Sequence, residues 1–100
     1  MEIPERSRPR LAARARVQDD RVTGKPMLVY PEGVLILNPS GSAIVALCDG
    51  TRTFDEIVSA LAARHQAPVE AVSADVRTYL LRLHERKLVE FLSELESGPK

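Results

Sequence analysis

Met27-Leu28-Val29-Tyr30-Pro31-Glu32-Gly33-Val34-Leu35-Ile36-Leu37-Asn38-Pro39 is the stretch on which the fold turns. Two apolar, β-branched runs flank Pro31-Glu32-Gly33, where proline presets a turn dihedral and glycine tolerates positive φ. The runs are therefore expected to pair as adjacent antiparallel strands. After Leu37 the period changes. Asn38 offers a capping side chain and Pro39 a first-turn proline, so a helix should start there. Upstream, an earlier strand is expected around Arg14–Gln18, closed off by Asp19-Asp20 and Gly24-Lys25-Pro26.

Downstream, Ile44, Leu47 and Cys48 recur at helical spacing, which predicts a short helix from about Pro39 to Cys48, ended by Asp49-Gly50. Thr53-Phe54-Asp55-Glu56 matches a capping box, and Ile57, Val58, Leu61 and Ala62 form the inner face of the helix it opens. A longer third helix should run from near Pro68 to about Lys87, with Val69, Val72, Val76, Leu80 and Leu83 spaced by three and four. Leu88-Val89-Glu90-Phe91 then returns in extended form. The element order implies an α+β, winged-helix-like domain of three N-terminal antiparallel strands followed by three helices. Its expected span is residues 9–92, between a flexible arm (1–8) and a polar tail (93–100).

With 100 residues and 44% hydrophobic content, the chain can bury one modest core. Fourteen basic residues balance fourteen acidic ones, so the whole chain has no electrostatic reason to seek nucleic acid or an anionic membrane. Residues 1–16 are locally basic, with five arginines against Glu2 and Glu5, and read as a solvated arm. No stretch resembles a signal peptide or a membrane span, so the expected compartment is the cytoplasm. Cys48 is the single cysteine and lies in an apolar run, where a thiol behaves as a small hydrophobe. His65 falls at a helix end and His84 beside an apolar stripe, and Asp19-Asp20 reads as a solvated turn. No catalytic, metal-binding or cofactor-binding residue is expected, and the chain should not be an enzyme.

Two features exceed what a core requires. Val34-Leu35-Ile36-Leu37 is apolar without alternation, so both faces of this strand want cover. On the third helix Glu70, Ala74, Arg77 and Leu81 fall on one line to the side of the buried stripe, which leaves Leu81 where water is expected. A groove between an available strand edge and the third helix would explain both. Main-chain pairing would then run along Val34–Leu37, with Leu35 the first position to test by proline. The other flank of the helix, near Asp75, Tyr79 and Arg82, is the alternative phase.

Leu28-Val29-Tyr30-Pro31-Glu32-Gly33, Leu37-Asn38, Leu47-Cys48-Asp49-Gly50-Thr51-Arg52-Thr53 and Asp75-Val76 with Tyr79-Leu80 and Leu83 together resemble the coenzyme PQQ (pyrroloquinoline quinone) synthesis protein D family, over about Pro9 to Leu92. That resemblance implies a non-catalytic recognition element without a cofactor. It would bind the leader of the PQQ precursor peptide and present it to a radical-SAM partner, protein E of the same synthesis, which cross-links a glutamate and a tyrosine. The family's leader site maps onto Val34, Leu35, Ile36 and Leu37 and onto Ala74, Arg77 and Leu81, with Asp75 beside them. Lys87 stands where the family pattern leads us to expect glycine before the final strand. An unoccupied strand edge also predicts a homodimer formed by strand pairing or exchange. The rival reading, a winged-helix DNA-binding regulator, is disfavoured by the mixed charge of the third helix, where Glu70, Asp75 and Glu85 accompany Arg77, Arg82, Arg86 and Lys87.

Overall fold

A computed structural model describes residues 3–4 and 6–92. The expected polar tail lies outside the described residues. Three strands, β2 (Arg16–Asp19), β3 (Pro26–Tyr30) and β4 (Gly33–Ile36), form an antiparallel sheet in the order β2-β3-β4. Tyr30 and Gly33 face one another across the Pro31-Glu32 turn, as expected for adjacent strands. Three helices follow: α1 (Pro39–Ala46), α2 (Phe54–His65) and α3 (Val69–Glu85).

Helix starts follow local chemistry. Asn38 Oδ1 accepts the Gly41 N–H at 2.6 Å and opens α1. Both halves of the capping box at α2 are present: Glu56 N–H donates to Thr53 Oγ1 at 3.1 Å and Thr53 N–H to Glu56 Oε1 at 2.8 Å. At the end of α3 the Leu88 N–H reaches Leu83 O and the Lys87 N–H reaches His84 O, both at 2.9 Å, which is a Schellman closure.

A second sheet went unread in the sequence. β1 (Arg8–Leu11) pairs antiparallel with β5 (Val89–Leu92), joining the two ends of the described chain. Ile3 is 4% exposed, and Ser7 and Pro9 are also buried, so packing begins ahead of residue 9, where the edge of the domain was expected. The Ser7 carbonyl accepts the Phe54 N–H at 2.7 Å and so satisfies a donor in the first turn of α2. The locally basic segment is tied down by its main chain, while Arg10 pairs with Glu90 at 2.6 Å.

One core joins these parts. Leu28 from the three-stranded sheet and Leu37 just past β4, Ile44 and Val45 from α1, Phe54, Ile57, Val58 and Leu61 from α2, Val76, Leu80 and Leu83 from α3, and Leu88 and Val89 beyond it are all buried together. The α3 stripe is as its spacing predicted, except that Val69 is half exposed at the first turn.

Candidate peptide-binding groove

β4 is an edge strand, paired only with β3 among the described residues. Its register aligns Leu35 with Leu28 and Ile36 with Met27, and the Leu37 N–H donates to Pro26 O at 3.0 Å. Because an antiparallel strand turns alternate main-chain groups to opposite sides, Leu35 and Leu37 address β3, and Val34 and Ile36 address the open edge. The edge therefore offers the N–H and C=O of Val34 and of Ile36. This corrects the expectation for Leu35, whose N–H is committed to β3. Side chains alternate as well: Leu37 is buried and Leu35 half-buried, whereas Val34 and Ile36 are 52% and 55% exposed. The run without alternation is thus a strand with a wet apolar face on one side.

Across from this edge lies a groove of roughly 970 Å³. Leu35, Ile36 and Leu37 form one wall, Ser42, Ala43 and Ala46 of α1 lie along it, and Tyr79, Arg82, Leu83 and Arg86 supply the α3 side. Lys25 and Arg64 complete the rim. The floor is apolar and the rim cationic.

Of the eight residues expected at this site, Leu35, Ile36 and Leu37 line the groove and Val34 adjoins it on the same strand. The four from α3 do not line it. Arg77 turns toward α2, its guanidinium 5.3 Å from the centre of the Phe54 ring. Leu81 is half-buried against the core, and Ala74 and Asp75 are exposed. From the alternative flank of α3, Tyr79 and Arg82 face this groove, while the Ala74–Arg77–Leu81 line does not. The periodicity separates the two flanks of the buried stripe but carries no information about which one meets β4, because that depends on how the helix lies on the sheet. Arg64 and Lys25 had no local signal at all.

Cys48 is buried, its Sγ donates to Ile44 O at 3.3 Å, and burial, reinforced by the neighbouring Asp49 charge, pushes the thiol up to about 12. A thiolate is the nucleophile, so this cysteine is inert near neutrality. Burial also raises the Tyr79 hydroxyl above its ordinary value, so the groove sees a neutral phenol. Among the described residues no three His, Cys, Asp or Glu side chains gather to hold a metal. None of their helices is long and apolar enough to cross a membrane.

Comparison with known proteins gives the chain's relatives. The family model of coenzyme PQQ synthesis protein D matches residues 27–89. The PqqA binding protein of Rhizobium meliloti is 35% identical over 83% of this chain and 85% of its own length. Among solved structures, the solution structure of the PqqD portion of Methylobacterium extorquens PqqCD, a stand-alone recognition element for ribosomally made, post-translationally modified peptides, superposes with a TM-score of 0.70 at 29% identity, covering 82% of this chain and 87% of that one. The crystal structure of PqqD from Xanthomonas campestris covers 78% of this chain and 87% of its own, with a TM-score of 0.55 and 31% identity.

Proposed function

Because the chain belongs to the coenzyme PQQ synthesis protein D family, we propose that it is a non-catalytic carrier of the PQQ precursor peptide, PqqA, in the cytoplasm. The peptide adds as a strand to β4, lies between β4 and α3, and is presented there to the radical-SAM enzyme that modifies it. The observation that carries this reading is the pair of outward main-chain positions, Val34 and Ile36, set beside an apolar groove. Each main-chain hydrogen bond formed on such an edge is worth about 0.5–1.5 kcal/mol net, and burial of apolar peptide side chains supplies the rest. A DNA reader, by contrast, must project its helix into a major groove. Here α3 buries Val76, Leu80 and Leu83 in the core and turns its cationic flank into a concavity.

Proline separates edge pairing from fold. At Ile36 it removes an outward N–H and leaves the ladder with β3 intact, so Ile36→Pro should fold and lose PqqA binding in calorimetric titration. Leu35→Pro removes a ladder donor and should cost fold stability instead. An Ile36→Pro protein that keeps a wild-type melt and wild-type affinity would rule out strand addition on β4. The same exposed edge, with Val34 and Ile36 beside it, also favours pairing of two copies when no peptide is present.

A further inference from the structure

We propose that this groove selects a peptide segment whose inward-facing positions carry a carboxylate, held among Lys25, Arg64, Arg82 and Arg86. The proposal rests on the peptide-carrier reading above. The chain as a whole is neutral, with 14 basic and 14 acidic residues. The groove is not: four cationic side chains line it and no carboxylate does. Outside the groove three arginines have acidic partners, Arg10 with Glu90, Arg14 with Glu32 and Arg52 with Asp49, while the exposed Arg16 and Arg21 have none among the described residues. None of the four groove cations has an ion-pair partner among the described residues. Concentrating unpaired positive charge around an apolar floor is unfavourable for the empty domain, and an anionic occupant relieves it.

Strand geometry states which peptide side chains are involved. A strand added to β4 shares its rows, so residues in the rows of Leu35 and Leu37 point inward, and those in the row of Ile36 point to the outer face with Met27. Inward residues thus alternate along the peptide. They meet Leu35, Tyr79 and Leu83 where they are apolar and the guanidinium groups of Arg82 and Arg86 where they are acidic. Arg82 on α3 and Arg86, its C-cap, are four residues apart, hence near one face and about 6 Å apart along the axis. Two inward peptide residues are separated by about 6.6 Å, so each can reach its own guanidinium. Selection is then by charge on alternate residues, with main-chain pairing indifferent to sequence.

The test titrates the full chain with synthetic PqqA and with a PqqA in which every Asp and Glu is replaced by Asn and Gln. The amide peptide should bind at least about tenfold more weakly, and the difference should shrink as salt is raised. The double variant Arg82→Gln/Arg86→Gln keeps much of each alkyl stem, should melt like wild type, and should bind native PqqA about fivefold or more weakly while no longer distinguishing the two peptides. If both peptides bind wild type equally and the double variant is unimpaired, the charge selection is wrong; should Ile36→Pro still abolish binding in that case, the carrier reading survives it. Loss of the carrier reading is recognised separately, by Ile36→Pro having no effect. A duplex oligonucleotide that binds as tightly as PqqA, and through Arg82 and Arg86, would assign these cations to phosphate and overturn the proposal.

Discussion

Lys87 shows how a single residue can carry strain for the sake of a connection. It follows α3 with φ 61°, in the left-handed region, and its N–H closes the Schellman motif that turns the chain into β5. A side chain there costs about 1–2 kcal/mol, whereas glycine would add about 0.5–1 kcal/mol of unfolded-state entropy. Lys87→Gly should therefore stabilise the domain by about 0.5–1 kcal/mol, read as a higher urea midpoint. An unchanged or lower midpoint would show that the lysine makes compensating contacts. This position was legible without coordinates, because the family resemblance led to an expectation of glycine there. Arg77 was not: its charge suggested a peptide contact, and its place over Phe54 became apparent only when α2 and α3 were set together.

At the scale of elements, the approach of α1 to α3 depends on Gly41. A Cβ at this buried position would lie 2.6 Å from Tyr79 Cζ, so the tyrosine ring must shift before any side chain fits. Gly41→Ala should cost about 1–3 kcal/mol through overpacking, despite the better helix propensity of alanine. Tyr79 also lines the groove, so PqqA binding should weaken with it. In a double-mutant cycle, Tyr79→Ala should remove most of the Gly41→Ala penalty; strictly additive energies would mean the two residues do not meet. In the sequence, Gly41 reads only as a poor helix former three residues after a cap. Its purpose lies on another helix. The capping residues Asn38, Thr53 and Glu56 were readable because each acts on a backbone group three residues away.

For the molecule as a whole, the pairing of β1 with β5 closes the chain upon itself. It buries Pro9 and fixes the segment that supplies Ser7 O to α2. Deleting residues 1–11 should destabilise the domain by about 2–4 kcal/mol, from the loss of buried Ile3 and Pro9 and of the sheet partner of β5. Denaturant titration of the truncated chain measures this. A midpoint equal to that of the full chain would restore the reading of the N-terminal residues as a solvated arm. The groove lies on the β2-β3-β4 side, so the effect on PqqA binding should follow the fraction folded.

The sequence by itself determined the β3-turn-β4 hairpin, the helix starts, the buried stripe of α3 and the presence of an unusually apolar edge strand. All of these are local: a turn dihedral, a cap three residues away, a spacing of three and four. Tertiary structure alone decided which flank of α3 faces β4, which amides of β4 point outward, and that a basic, proline-bearing N-terminal segment is a strand. Each of these depends on groups far apart in the chain, such as Arg10 and Glu90, 80 positions apart. Helical periodicity records how far a side chain lies from the core but not the hand of the packing. Strand alternation likewise records two faces without the register that selects the open edge.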